Sequence, residues 1–335
     1  MKLDNLRLGE AFGILTKTLP VLLVRLGLML AFWAVAIIYL LIVGGVAALI
    51  GGVIDWLGGL IFLLGIIGVA PLYNFAYRYV FYMIKAAHIA IMAELVAKGS
   101  IPDGGQLDYG RRMVTQRFGE TNVMFAIDQI VAGVVRAFTH TVWNLVRWLP
   151  GDQRAFLQVI QRFADYSLSY IDETIMARSY WNKDVDVWQN ARDGVVLYAQ
   201  SWKAMFSSAF ILMLISFVPS IAGLILFAAP VGFLISLFSQ QLAGITLIIL
   251  LMLAWVLKVA LGDAFVMAAL INTYYHETKD LTPDPEMAAR LDSVSDKFGD
   301  LARQAQDAVM GRAKRTSAGM PFNDAGVIDP TPTTE

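Results

Sequence analysis

Three long stretches without a charged side chain set the frame of this chain. They run from Leu26 to Ile54, from Trp56 to Tyr77, and from Ala204 to Leu257, the last being 54 residues. A bilayer's hydrocarbon core is about 30 Å thick and is crossed by roughly 20 apolar residues in a helix. The first two stretches therefore predict one span each, separated at Asp55. The third is too long for one crossing and predicts two, with Pro219, Pro230 and Ser239-Gln240-Gln241 as candidate breaks. The expectation is an all-α, polytopic helical membrane protein. It has two transmembrane hairpins, about four spans near 22–46, 57–80, 206–229 and 243–265, and its lipid bilayer is its first partner.

Between and after the hairpins the periodicity becomes amphipathic. From Thr121 to Leu149, Asn122, Gln129, Arg136, His140, Asn144 and Arg147 recur at helical spacing, while Phe125, Ile127, Val131, Val135, Phe138, Val142 and Val146 line the opposite side. Such a helix lies in the membrane interface with its polar stripe in water, or crosses the bilayer and turns the stripe toward a cavity. The first arrangement is the expectation. A more charged helical stretch follows to about Trp181, then a turn at 182–186 and an amphipathic helix from Gln189 to Ser201. Asp284 reads as a helix N-cap, with Pro285 at the first helical position and Glu286 in the first turn. Met287, Leu291, Val294, Phe298, Leu301 and Ala305 then alternate steps of four and three, with Val309 a further four on, a short heptad seam. It pairs with a second copy, giving a homo-oligomer, or packs on helices of its own chain, the simpler outcome for so short a seam. The chain thus divides into an N-terminal segment 1–21, a first hairpin 22–83, an amphipathic region 84–203, a second hairpin 204–272, a C-terminal helix 284–315 and a tail 316–335 whose polar composition predicts disorder.

Composition sharpens this picture. Hydrophobic residues make up 57% and charged residues 16%, against roughly 25% charged in soluble domains, and the mean hydropathy is +0.60. A net charge of −1 provides no field for nucleic acid. The absence of cysteine excludes disulfides and thiolate metal sites. The mixed charges before the first long apolar run do not resemble a cleavable signal peptide. Lysines and arginines are unevenly placed: four precede the first span, 13 lie from Lys85 to Lys203 and seven from Lys279 onward, while the turns around 47–56 and 230–242 have none. By the positive-inside rule, both termini and the central region are cytoplasmic, with the plasma membrane as the expected location.

Two internal patterns stand out. Leu28-Met29-Leu30 recurs loosely as Leu212-Met213-Leu214, and Ile101-Pro102-Asp103 recurs as Thr282-Pro283-Asp284, at offsets of about 181–185 residues. This is the signature of duplicated hairpins, or the likeness of any two apolar helices. Gly44, Ala48 and Gly52 form a small-residue seam on one face of the first span, by design for close packing or by chance in a Gly- and Ala-rich stretch.

No catalytic, phosphate-binding, cofactor or metal-ligand motif is present, and His88, His140 and His276 are far apart in sequence. Ionisable groups within apolar segments are the better lead, because each is costly in hydrocarbon. Lys258 and Asp263 lie late in the fourth span, about 140° apart around a helix. Lys258 snorkels to the interface or lines a polar path with Asp263, to which Arg136 and His140 would add if the central helix faced a cavity. Arg78 among Tyr73, Tyr77, Tyr79 and Tyr82 reads as an interfacial belt with a cationic anchor.

The segment Tyr170-Ile171-Asp172-Glu173-Thr174-Ile175-Met176-Ala177-Arg178-Ser179-Tyr180-Trp181, with Asn190-Ala191-Arg192-Asp193-Gly194 and two closing spans, resembles the C-terminal part of choline transporter-like proteins. The similarity covers about a third of the chain, which lacks that family's cysteines and length. It implies a transport-like activity and assigns no substrate-binding residue. Two functions are thus expected: non-enzymatic anchoring or organisation of partners at the membrane, and, as the alternative, a small-solute transporter or permease built from duplicated hairpins.

Overall fold

A computed structural model describes residues 7–101, 105–118, 121–146, 170–236 and 243–317. Side chains of Arg78, Tyr79, Asn122, His140 and Asn144 lie outside the described set, as do residues 147–169 and the tail from 318. The fold is all-α, with no strand among the described residues. Four helical runs are long and apolar enough to cross a membrane: Leu19–Gly51, Asp55–Ala76, Trp202–Phe233 and Leu247–Thr278.

In chain order the helices are α1 (Leu8–Lys17), α2 (Leu19–Gly51), α3 (Asp55–Ala76), α4 (Tyr82–Lys98), α5 (Gln106–Phe118) and α6 (Thr121–Val146). Then come α7 (170–181), α8 (Val187–Gln200), α9 (Trp202–Ile215), α10 (Val218–Ser236), α11 (Ala243–Leu257), α12 (Asp263–Thr278), α13 (Pro285–Val294) and α14 (Asp296–Ser317). Two five-residue π-helical segments, Tyr77–Phe81 and Lys258–Gly262, join α3 to α4 and α11 to α12. They are 181 residues apart, the same offset as Asp103 to Asp284. The order of described elements also repeats: a short helix, two apolar runs, a π segment, a long arm and two more helices.

The chain divides into two compact units. Unit 2 comprises Leu19–Ala86 and Pro219–Leu261. Only Arg25, Asp55, Arg78, Lys85 and Lys258 are charged in it. Leu41, Leu49, Val53, Ile225 and Leu226 are exposed, an apolar surface of the kind lipid covers. Its buried cluster joins Met29, Val256 and Ala260, with Leu26, Trp33 and Phe81 against it. Phe32 adds edge-to-face contacts with Trp33, Tyr73 and Phe81 at 5.6–5.8 Å. Tyr73 is therefore part of helix packing rather than only a member of an interfacial belt.

α2 and α3 approach closely, most tightly along a stripe beside the expected seam. A methyl added at Gly58 would lie 2.5 Å from the Ala47 carbonyl oxygen, and one at Gly65 would lie 2.4 Å from Val43. The tightest approaches on α2 are thus at Tyr39, Val43, Ala47 and Gly51, while Gly44 of the expected seam also faces α3, an added methyl lying 3.6 Å from the Phe62 ring. Small residues on both helices make the approach, Ala47 and Gly51 on α2 and Gly58 and Gly65 on α3.

Unit 1 comprises Met1–Thr18, Ala87–Val218 and Gly262–Glu335. The arms α4 and α12 supply much of its core: Ile89, Ala90, Ile91, Met92 and Ala93 on one, Ala264 and Val266 through Ile271 on the other, are all buried. A helix buried on every side needs apolar residues on every side, which explains why these arms lack amphipathic periodicity. α1 and α9 pack on α12, and α6, α13 and α14 pack together with α8.

Two amphipathic elements are resolved by that packing. Ile127, Val131 and Val135 of α6 are buried as the pattern predicts, but against helices of the same unit rather than in a membrane interface, with Gln129 and Arg136 exposed. The physical reason is that the heptad seam offers a protein partner: Leu291, Phe298, Leu301 and Ala305 are buried among α6 and α8. That seam is not one helix. Asp284 caps α13 by accepting from the Glu286 amide at 2.9 Å, and Ser295, in extended backbone, separates α13 from α14. In the third apolar run, a turn at Ser216-Phe217 separates α9 from α10, with Pro219 just inside the new helix. Pro230 lies within α10, and Ser239-Gln240-Gln241 lies outside the described residues.

Candidate functional site

Asp263 opens α12, and the Tyr170 hydroxyl of α7 donates to its carboxylate at 2.7 Å. One turn along α7, Thr174 is fully buried, donates to the Tyr170 carbonyl at 2.6 Å and touches the Met267 sulfur of α12 at 4.0 Å. Further on, Arg178 donates to the Asn190 side chain at 2.6 Å, and Asn182 does so at 2.8 Å. The Asn190 amide group in turn donates to the carbonyls of Asn182 and Val185. Asn190 has no exposure, and these four bonds satisfy its side chain. Gly194 completes the interface: Tyr274 donates to its carbonyl at 2.9 Å, and a methyl there would lie 2.7 Å from Ile175. The residues that prompted the choline transporter-like resemblance therefore tie α7, α8 and α12 into one core.

Lys258 is 2% exposed, which differs from a snorkelling side chain, and its ammonium sits 5.9 Å from the Trp255 ring centre. Within the same unit, Arg25 donates to the Val259 carbonyl at 2.7 Å. A π segment shifts the helical bonding pattern and leaves backbone carbonyls available to outside donors. Arg136 is exposed on α6 and takes no part in these contacts, and the side chain of His140 lies outside the described residues.

Sequence reasoning missed two further clusters. On α1, Glu10 accepts from Asn272 of α12 at 2.7 Å and from Arg7 at 2.9 Å, with His276 at 3.8 Å. The Asn272 bond and Arg7 hold the Glu10 carboxyl below its usual range, against the opposing effect of partial burial. The signal was an Asn inside an otherwise apolar arm. In the second cluster Glu94, 1% exposed, has Lys98 at 2.6 Å and Lys183 at 3.4 Å. Burial pushes this carboxyl up, but the nearby Lys98 and Tyr109 groups and the charge of Lys183 outweigh it, so the net shift is downward. Burial and the Glu94 carboxylate push the Tyr109 hydroxyl upward. Arg117 fixes the loop that bears Lys183, donating to the carbonyls of Lys183 and Val185 at 2.7 Å each.

Because its folded value is depressed, Glu94 contributes stability above its ordinary value of 4.5 that is lost as pH falls through the lowered one. Glu94→Gln is expected to cost about 1–2 kcal/mol at pH 7. It should cost progressively less toward pH 4 and below. Thermal unfolding of the detergent-solubilised protein across that range measures it, and a pH-independent difference would refute the ion-pair assignment.

These clusters hold helices together; none converges on an open space with a nucleophile and a base. His88 bonds Thr18 at 2.9 Å, and no group of three metal-ligating side chains gathers among the described residues. No protein-family model matches the chain, and neither the curated proteins nor the solved structures contain a significant match to it.

Proposed function

We propose that the protein is a non-enzymatic membrane anchor that organises partners through the helices of unit 1, with both termini and that unit on the cytoplasmic side of the plasma membrane. The observation that supports this reading is how the polar groups near the apolar runs are used. Arg25 is bonded to a backbone carbonyl, Asp263 to Tyr170, and Ser220 donates to the Ala254 carbonyl at 2.8 Å. Polar side chains bonded between helices act as glue, whereas a transport path requires such groups to face a solute. The exposed polar surface of unit 1, including Arg136, Arg303 and Asp307, is what remains for partners.

The transporter reading has its own support in the repeated element order, the paired π segments and the buried Lys258. One comparison decides between them. Proteoliposomes containing the full chain are expected to take up choline no faster than protein-free vesicles, and Asp263→Asn is expected to lower thermal stability by about 1–2 kcal/mol. Protein-dependent uptake that Asp263→Asn abolishes without changing stability would establish transport instead.

A further inference from the structure

α1 carries two apolar stripes, and only one of them is covered. Ala11 and Ile14 are buried, and the helix packs on α12. On another side Leu8, Phe12 and Leu15 follow at steps of four and three, the spacing of one helix face. Leu8 and Leu15 are half-buried. Phe12 is 61% exposed, the highest value for any large apolar side chain of unit 1 among the described residues. In the same unit a groove of about 800 Å³ opens between the stretch from Ala199 to Ala204 and α13. Phe138, Trp202, Met287 and Val294 contribute to its largely apolar lining. Met287 and Val294 belong to the seam read from the sequence and stand one heptad apart. Leu291 between them is buried inside the unit, whereas these two keep exposed surface at the groove. Gln200 ties the walls together, donating to the Thr282 carbonyl at 3.2 Å and accepting from the Asp284 amide at 3.4 Å.

Stripe and groove match in length and in height. Leu8 to Leu15 and Met287 to Val294 each cover a separation of seven positions, about 10 Å of helix. Ser216, just past the end of α9, closely approaches Gly262, just before α12. The 14 residues of α9 run back from there, so Trp202 at its start is level with about residue 276 of α12. Glu10 of α1 accepts from Asn272 and lies 3.8 Å from His276, which puts the stripe at about that level too. Copies inserted in one bilayer with the same orientation therefore present the stripe and the groove to each other at the same height. We propose that the groove receives α1 of a second copy of this chain, with Phe12 against Met287 and Val294, and Leu8 and Leu15 beside it. A helix laid into an apolar groove by anchors one and two turns apart is a common recognition mode. Because the two surfaces are different patches, the contact is head-to-tail, and copies assemble in the membrane plane as a ring or a row. The inference needs only that the copies share a bilayer, and it holds whether the protein anchors partners or moves a solute.

The chain has no cysteine, so single introduced thiols report the contact. Full-length copies carrying Thr16→Cys and copies carrying Ser293→Cys, told apart by tags of different size, are reconstituted together in liposomes and treated with a short bismaleimide. Both positions are exposed, Thr16 one turn beyond Phe12 and Ser293 in the groove beside Val294. A product joining the two tags is expected, well above that formed when Gln304→Cys, exposed on α14, takes the place of Ser293→Cys. Adding Phe12→Ser to the Thr16→Cys copies should leave thermal unfolding unchanged and lower the product about tenfold, through loss of one buried aromatic anchor. Equal yields from Ser293→Cys and Gln304→Cys would mean chance collision and overturn the proposal. So would a yield that Phe12→Ser leaves unchanged, or an equal product from Thr16→Cys copies alone, which would mean that α1 meets α1. Should Phe12→Ser not fold, the comparison of the two thiol positions still decides.

Discussion

Gly262→Ala is expected to be the most damaging single methyl addition in this protein. A Cβ at that position would lie 2.0 Å from the Ser216 carbonyl oxygen, 2.9 Å from its carbon and 3.1 Å from its Cα. All three atoms are backbone, so no side chain can rotate away. Ser216 is itself buried at the turn between α9 and α10 and bonds its own Met213 carbonyl at 2.6 Å. Relief therefore requires moving α12 away from α9, two helices that pack on each other. Overpacking of well-filled cores costs about 1–3 kcal/mol and more when backbone must shift, and about 3 kcal/mol or above is expected here. Thermal unfolding of the full chain in detergent measures it. A variant as stable as the parent would mean that α9 and α12 do not meet at this point. Gly232, where nothing lies within 4 Å, is the matched control and should accept Ala without loss.

The difference between these two glycines shows where sequence reading ends. Both sit in apolar runs and look alike in one dimension; only the neighbouring helix separates them. The spans themselves were legible because a charge-free run of sufficient length has few alternatives to a membrane helix. The cap at Asp284 was legible because N-capping is local chemistry. The buried side of α6 was legible too, since periodicity reports that a face is covered. It does not report what covers it, and the expectation of a membrane interface gave way to α8, α13 and α14.

The polar groups were legible only in part. Lys258 and Asp263 attracted attention because charge in an apolar run is costly, and both prove to be substantially enclosed. Their partners were not predictable, because Tyr170 comes from a segment 93 residues away. Glu94 and Glu10 escaped notice because each lies outside the longest apolar runs, where a carboxylate is unremarkable until three-dimensional neighbours are known. The π segments had no sequence signal at all. Tyr77–Phe81 and Lys258–Gly262 share no residue type at equivalent positions, so their common offset emerges from backbone hydrogen bonding alone.

Arg25 offers the second large effect, and it separates structural from pathway roles. The residue is 9% exposed, and its guanidinium reaches the Val259 carbonyl at 2.7 Å inside a π segment. Replacing it by Met keeps the apolar stem and removes the donor, leaving a buried carbonyl short of a partner. Hydrogen bonds from charged donors contribute about 1.5–3 kcal/mol, so Arg25→Met is expected to cost about 2 kcal/mol in thermal unfolding of the full chain. Arg25→Lys should recover part of that, because an ammonium retains the charge but not the planar fork. The alternative assignment makes the opposite demand. An arginine placed to meet a passing solute would be replaceable with little loss of stability and a large loss of flux. A stable Arg25→Met variant would thus contradict the staple and move the balance toward transport. An unstable one, with partial recovery by Lys, ties the cation to the joint between the first and fourth apolar runs.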